Sequence, residues 1–188
     1  QAGTPRLHIK PTYDAVARTL TLQLRQQTLA TPGQAEKAAL PIPIRLGLLT
    51  EDGRPLPFDG GKTETLHVFD TDTAELVLTD VAEAPVLSAL RHFSAPVILT
   101  VEEPVAHAFA RVQGDSDPFN RWEAAQGLAR GLILDAAPDP AHIAAFAEAL
   151  DACLKDDHLE PAFKALILAL PTESDLAQMM NPIDPAFI

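Results

Sequence analysis

The chain has 188 residues, a formal net charge of -12 at pH 7 and a single cysteine. Such an acidic surface repels phosphate backbones, no apolar run reaches the roughly 20 residues that cross a bilayer, and one cysteine cannot form an internal disulfide. We therefore expect no nucleic-acid or membrane partner and a reducing compartment, with Cys153 as a small buried hydrophobe.

The first hundred residues predict a β-sandwich. They contain nine of the 17 prolines, short stretches of alternating polarity and regularly placed turn signals, which are typical of antiparallel, immunoglobulin-like sandwiches. Residues Thr19–Gln27 give the clearest pattern, because Leu20, Leu22 and Leu24 point to one face and polar residues to the other. About seven to eight strands are expected, the others near residues 6–10, 40–49, 63–69, 74–79, 86–92 and 97–101.

Prolines and glycines mark the ends of these strands. Pro41 and Pro43 cannot donate to a ladder, so the strand near residues 40–49 is expected to start at a sheet edge. Residues 51–54, Glu-Asp-Gly-Arg, predict a hairpin turn, because Asp-Gly adopts the positive φ angles that a tight turn needs. Gly60 and Gly61 predict a second turn.

Residues 115–134 mark the change from strand-like to helical sequence and carry the only tryptophan. Asp117 is suited to cap a helix that begins at Pro118, because a short carboxylate accepts from the free N–H groups there and proline has none to lose. Six apolar residues repeat at a period near 3.6 and predict a core-facing stripe: Phe119, Trp122, Ala125, Ala129, Leu132 and Ile133. Trp122 is therefore predicted to be buried.

Three more helices are predicted, near residues 140–154, 160–170 and 172–180, the last of them capped by Thr172 or Ser174. Asn181 and Pro182 then turn the chain, and residues 184–185 resemble a new helix start. We expect two domains, a β-sandwich at residues 1–103 and a helical part at residues 104–188 that continues in a longer natural protein.

No pattern in the chain predicts catalysis, cofactor binding or a metal centre. The six histidines are scattered, and none belongs to a His-Glu-x-x-His motif, which presents two zinc ligands on one helix face. Glu103 and His107 are four residues apart, but no third ligand is near in sequence. His142, Cys153 and His158 could bind zinc or supply a nucleophile, yet Cys153 lies on an apolar helix face, where burial makes a thiol inert.

Several stretches resemble, in order, the bacterial aminopeptidase N family of gluzincin zinc peptidases. Residues 117–126, Asp-Pro-Phe-Asn-Arg-Trp-Glu-Ala-Ala-Gln, are similar to the start of its C-terminal helical domain. The other similar stretches are residues 1–5, after its catalytic domain, residues 31–43 and 92–97, in its sandwich, and residues 183–185, further into the helices. The resemblance implies a fragment in which Phe119, Arg121, Trp122 and Gln126 lie on the helix that docks the two domains.

In that family the complete enzyme removes N-terminal residues from peptides, using zinc held by His-Glu-x-x-His and a downstream glutamate and an amine-binding Gly-Ala-Met-Glu-Asn motif. None of these motifs occurs in the chain, so the resemblance transfers no catalytic, metal-binding or cofactor-binding residue. The function that the resemblance implies is a non-catalytic structural fragment of a cytoplasmic zinc aminopeptidase, which supports the helical domain over the active site. Its implied partners are the catalytic domain and remaining helices of one parent chain.

Two alternatives belong to other classes of protein. A free-standing sandwich-plus-helix interaction module predicts a native start near residue 1 and a partner that co-purifies. An independent hydrolase predicts turnover of aminoacyl anilides by the isolated chain.

Overall fold

The computed structural model describes residues 2–180, 182–184 and 187. Seven strands in the described residues form two sheets, with the orders β5-β2-β1-β7 and β4-β3-β6. The strands are β1 (Arg6–Asp14), β2 (Thr19–Gln27), β3 (Ile42–Leu49), β4 (Glu64–Phe69), β5 (Thr73–Leu78), β6 (Val86–Ala89) and β7 (Ile98–Val101). The predicted sandwich is confirmed.

One pairing differs from the predicted antiparallel arrangement. β7 runs parallel to β1, with Arg6 opposite Ile98 and Ile9 opposite Val101, whereas the other paired strands are antiparallel. Parallel neighbours need a long connection, and here that connection contains all the other strands. Alternating polarity is the same in parallel and antiparallel strands, so the sequence pattern could not reveal this pairing.

The two sheets enclose an apolar core. Leu20, Leu22 and Leu24 of β2 are at most 2% exposed, as their alternation predicted, and Phe58 and Phe69 are 0% and 1% exposed. Burying one such side chain contributes about 1.5–3 kcal/mol relative to leaving it in water. The sandwich therefore contains the apolar burial that a stable domain requires.

β3 is the central strand of its sheet, although Pro41 and Pro43 predicted an edge at its start. β6 pairs only with residues 46–49, so the earlier part of β3 has one open side. There the Arg45 N–H donates to the Ser94 hydroxyl (3.0 Å). Residues two apart in a strand direct their N–H groups to the same side, so an N–H at Pro43 would point, like that of Arg45, to the open side of β3. Its absence therefore interrupts no ladder bond.

The turns are present, but the strand predicted at residues 86–92 ends early. Thr50 N–H donates to the Arg54 carbonyl (2.8 Å) across the first turn, and residues 60–61 form the second. β6 stops at Ala89 and a short 3-10 turn occupies Arg91–Phe93. Positive φ angles near this turn, of 59°, 56° and 52° at residues 90, 92 and 93, are incompatible with a strand.

Five helices follow in the described part: α1 (Val105–Gly114), α2 (Pro118–Leu134), α3 (Pro140–Lys155), α4 (Pro161–Ile167) and α5 (Glu173–Met179). Asp117 caps α2 as predicted, accepting from the Asn120 N–H (2.8 Å), and Thr172 caps α5. The predicted turn at Asn181 and the helix start at Pro185 involve residues outside those described. None of the described helices is long and apolar enough to span a membrane.

The buried face of α2 overlaps the predicted apolar stripe only at Ala125 and Ala129. Its buried residues are Asn120, Arg121, Ala125, Gln126, Leu128 and Ala129. Trp122 is only half-buried, like Phe119. The rest of the prediction, including the burial of Trp122, was wrong because it counted apolar side chains alone, whereas three polar side chains on α2 are buried in hydrogen bonds to neighbouring segments.

Candidate docking site between the sandwich and the helices

The loop between α1 and α2 places two carboxylates against the sandwich. Asp115 ends α1, its N–H donating to the Arg111 carbonyl (3.0 Å), and Asp117 begins α2. The Asp117 N–H also donates to Asp115 Oδ1 (2.9 Å), which fixes the turn between them. Asp115 is 1% exposed and Asp117 0%, so both charges need close partners.

Arg91, in the positive-φ turn after β6, supplies the main partner and is itself buried. Its Nη1 donates to Asp115 Oδ1 (2.9 Å), its Nε to Glu64 Oε2 (2.9 Å) and its Nη2 to the Ser116 hydroxyl (2.8 Å). One guanidinium therefore joins β4 to the α1–α2 loop. The tight turn after Ala89 is what brings Arg91 to this position.

The remaining bonds pass through β6. The buried Ser88 hydroxyl donates to Asp115 Oδ2 (2.6 Å), and Asn120 Nδ2 donates to Ser88 Oγ (2.9 Å) and the Ala89 carbonyl (2.8 Å). Asp117 Oδ2 accepts from the His92 N–H (2.8 Å). Seven of these residues form what we call the docking network: Glu64, Ser88, Arg91, Asp115, Ser116, Asp117 and Asn120. Across the described residues, every buried side-chain nitrogen and oxygen has a hydrogen-bond partner.

Glu64 lies at the open end of the docking network, with its side chain 26% exposed. Burial by itself raises the pKa of Glu64, but hydrogen bonds from Arg45 and Arg91 outweigh that effect and hold the pKa below its ordinary value. Arg45 Nη1 is 2.7 Å from Glu64 Oε1. Glu64 is therefore ionised at neutral pH and, with Asp115, balances the charge of Arg91.

A backbone contact between two glycines completes the junction. Gly53, in the β3 hairpin turn, packs against Gly114 at the end of α1. A Cβ built on Gly114 would lie 2.5 Å from the Gly53 carbonyl oxygen, and one built on Gly53 would lie 2.7 Å from Gly114 Cα. Such distances are far below van der Waals contact, so a side chain at either position would separate helix and turn.

Glu103 and His107, which the sequence suggested as possible metal ligands, belong to a second polar contact. Arg111 Nη1 donates to the Leu87 carbonyl (2.9 Å) and to Glu103 Oε2 (2.9 Å), and Arg111 Nη2 bonds Glu103 Oε1. His107 Nδ1 lies 3.4 Å from Glu103 Oε2. The described residues contain no group of three or more His, Cys, Asp and Glu side chains that could hold a metal ion, so they offer zinc no ligand set.

Two of the four residues predicted on the docking helix bond other helical segments. Arg121 is 4% exposed and donates Nε to the Val112 carbonyl (2.7 Å) and Nη2 to the Gln113 carbonyl (2.5 Å). These carbonyls lie in the last turn of α1, where the C=O groups have no N–H partner within the helix. Gln126 donates to the Ala169 carbonyl beyond α4 (2.7 Å).

Phe119 and Trp122, the other two, form an aromatic row at the surface. The Phe119 ring centroid is 5.1 Å from that of Phe93, which follows β6, and 6.2 Å from that of Trp122. Phe119 therefore contacts the sandwich directly, while the ring contact of Trp122 is with Phe119. A docking role for these four residues remains a prediction.

Cys153 is buried as predicted, with its thiol 2.9 Å from the Val112 carbonyl. Burial raises the pKa of the Cys153 thiol, although the nearby Arg121 guanidinium acts in the opposite direction. A thiol that stays protonated is a poor nucleophile, which supports a packing role.

Sequence reasoning missed Arg91 and Ser88 as docking residues. One signal was available: Ser88 interrupts the apolar run Val-Leu-Ser-Ala-Leu, and a polar side chain in a buried strand needs a partner. A basic residue three positions later could have been matched to the acidic pair Asp115 and Asp117. Nothing in the local pattern, however, indicated which distant residues would meet.

The architecture is an immunoglobulin-like sandwich joined to a helical array by a buried polar network. Residues 3–102 match the family described as "Domain of unknown function (DUF3458) Ig-like fold", and the chain belongs to that family. Residues 106–188 match the family described as "Domain of unknown function (DUF3458_C) ARM repeats".

Relatives named aminopeptidase N match essentially the whole chain, which confirms the resemblance. The Caulobacter vibrioides relative is 48% identical over 189 residues, 99% of this chain and 21% of its own length, and the Escherichia coli relative is 34% identical over 199 residues, 100% and 22%. The chain thus spans about a fifth of these relatives. The solved structure of Legionella pneumophila aminopeptidase A in complex with aspartic acid shares the fold, with a TM-score of 0.75 and 24% identity over 96% of this chain and 20% of that one.

Proposed function

We propose that the chain is a non-catalytic structural part of a larger aminopeptidase, in which it fixes the start of a helical domain to a sandwich domain. Residues 1–103 form the first domain and residues 104–188 the start of the second. The observation that carries the proposal is the match of the whole chain to about a fifth of two aminopeptidase N relatives, at 48% and 34% identity. The docking network supports the mechanical role, because buried charged bonds tolerate only one relative orientation.

The parent protein, in this proposal, is a cytoplasmic, zinc-dependent peptidase that removes N-terminal amino acids from peptides. Zinc and the bound peptide amine are held by its catalytic domain, and that domain and the remaining helices are the partners of this chain. The chain spaces these two parts and supports the helices that close over the active site.

Exposed apolar side chains in the helical part support continuation of the array. Five of them, on α3, on α4 and just after α4, are between 42% and 64% exposed: Ile143, Leu154, Leu166, Leu168 and Leu170. In stacked helical repeats each unit covers the apolar face of its neighbour, so an uncovered end exposes such a face. The isolated chain is therefore expected to self-associate as its concentration rises, which sedimentation velocity measures.

A chimera tests the proposal. The aligned segment of the Caulobacter vibrioides relative is replaced by this chain, and hydrolysis of alanyl anilide is compared with that of the unmodified relative. We expect the chimera to keep the activity and the isolated chain, with or without zinc, to have none. A folded but inactive chimera, or zinc-dependent turnover by the isolated chain, contradicts the proposal; the interaction-module alternative predicts an inactive chimera.

A further inference from the structure

A cleft of about 460 Å³ lies between the sandwich and the helices. The edge strands β6 and β7 form one wall, and α1 and α2 form the other. Leu99 and Val101 of β7 face Ala124, Gly127 and Gly131 of α2 across it. The docking network leaves this space unfilled, although Asn120 reaches its end.

The β7 wall presents unpaired backbone groups. β7 is the last strand of its sheet, and the Ile98 N–H donates to the Pro5 carbonyl (2.9 Å) and the Glu102 N–H to the Ile9 carbonyl (2.9 Å). Because successive residues of a strand alternate in direction, Leu99 and its second neighbour Val101 direct their N–H and C=O groups away from β1. In the described part of the chain, no strand pairs with this edge.

On the α2 wall, two exposed glycines, Gly127 and Gly131, present no side chain to the cleft. A Cβ built on Gly131 would meet nothing within 4 Å, and one built on Gly127 would meet only Arg130 Nη2, at 3.9 Å. Glycine is unfavourable in a helix interior, and no contact within the described chain requires it here. Its effect is to leave room between α2 and the edge of β7.

The uncompensated charge of the cleft is negative. Arg111 is paired with Glu103, and Arg130 with Glu123 (2.7 Å). Asp135 and Asp139, at one end, accept only backbone N–H groups, from residues 137 (3.0 Å) and 141 (2.9 Å), and make no ion pair among the described residues. The carbonyl end of α2 adds to the negative potential there.

We propose that the cleft binds a short cationic peptide as an added strand on β7. The peptide backbone pairs with Leu99 and Val101, its apolar side chains lie against the glycine face of α2, and its basic group is held by Asp135 and Asp139. Four extended residues span about 13 Å, which matches the four-residue β7. Addition of an extended peptide to an exposed sheet edge is an established mode of peptide recognition. The inference does not depend on the proposed structural role.

Fluorescence anisotropy with labelled Lys-Val-Thr-Val-Leu peptide tests the binding, and amide NMR spectra locate it. We expect saturable binding that shifts the Leu99 and Val101 amide signals and protects them from exchange. The same peptide N-methylated at alternate amides keeps its side chains but cannot pair, and it is expected to lose binding. Saturation without changes at Leu99 and Val101, equal binding of the methylated peptide, or no binding at millimolar concentration overturns the proposal.

Variants separate the cleft from the rest of the surface. Gly131→Leu adds an apolar side chain at a cleft position where the Cβ meets no other atom within 4 Å, and it is expected to weaken binding by about tenfold or more, equivalent to at least ~1.4 kcal/mol. Ala147→Leu, on an exposed position of α3 outside the cleft, is the matched control and should bind like the natural chain. The double variant D135N/D139N keeps its capping groups, so weaker binding and a smaller salt dependence support the charge assignment, and unchanged binding contradicts it.

Discussion

In the sandwich, 18 buried apolar residues of the described chain form one cluster, whereas the main cluster of the helical array contains six. The larger cluster includes Phe58 and Phe69, while the smaller one relies on Ala125, Ala149 and Cys153. Buried polar bonds add to the smaller cluster, both between helices and across the junction with the sandwich. Apolar burial tolerates small displacements, but a buried charged bond is lost once its geometry fails. The two regions should therefore respond differently to the same kind of change.

The largest expected effect comes from breaking the docking network. Asp115→Ala removes the more deeply buried of the two carboxylates that pair with Arg91, and removal of one member of a buried ion pair costs about 3–5 kcal/mol. We expect the helices to lose protection against hydrogen exchange while the strands keep most of theirs. Exchange measured by mass spectrometry on peptides from both regions checks this.

The control for Asp115→Ala is Asp151→Ala, which removes an exposed i,i+4 pair with Lys155. Exposed pairs of this kind contribute at most about 1 kcal/mol, so both regions should stay protected. If Asp115→Ala instead unfolded sandwich and helices together, the two regions would form one cooperative unit and the contrast between them would be wrong.

The glycine contact gives the next largest effect. Gly114 has no positive φ angle, so Gly114→Ala adds only a methyl group, directed at the Gly53 carbonyl oxygen 2.5 Å away. Forcing extra volume into a packed contact costs about 1–3 kcal/mol. The midpoint of urea unfolding, followed by helical circular dichroism, is expected to fall. A midpoint equal to that of the natural chain would show that α1 and the hairpin turn can separate freely.

How far the fold could be predicted differs between the same two regions. The strands of the sandwich followed from alternation and turn residues, since Leu20, Leu22 and Leu24 are buried for the reason the pattern gave. The start of α2 followed from Asp117 and Pro118. The buried face of α2 did not, because Asn120 is buried by hydrogen bonds to residues more than 30 positions away, which no local period records.

The docking site was predictable only in outline. Family resemblance indicated that residues 117–126 join two domains, and Phe119 does contact the sandwich. The alternation of residues 86–92 predicts one strand and so gives Arg91 no separate role, whereas positive φ angles at residues 90, 92 and 93 redirect the chain there. Such a turn in non-glycine residues is stabilised by tertiary bonds, so a local sequence signal for it does not exist.

Acid should weaken the docking network by less than Asp115→Ala or Gly114→Ala destabilises the junction. Because the folded-state pKa of Glu64 is lowered, Glu64 stabilises the fold above its ordinary value of 4.5, and this contribution is lost as the pH falls through the lowered pKa. Glu64→Gln is expected to be less stable than the natural chain at pH 7 and to lose less stability between pH 7 and pH 3. Thermal melts at both pH values measure the difference.

The matched variant for the acid experiment is Glu83→Gln, at an exposed position without an ion pair among the described residues. Its loss of stability on acidification should equal that of the natural chain. An equal loss in Glu64→Gln would mean that the carboxylate of Glu64 does not stabilise the junction.

The smallest expected effect is a stabilisation, and it concerns the side of α2 that lines the cleft. Gly131 is exposed, and a Cβ there would meet nothing within 4 Å. Replacing glycine by alanine in a helix interior stabilises it by about 0.8–1 kcal/mol. Gly131→Ala should therefore raise the midpoint of helix unfolding and leave the exchange of the sandwich core unchanged. A lowered midpoint would mean that the added methyl group clashes with another surface at Gly131. The cleft beside α2 would then be occupied by a contact that the described chain does not show.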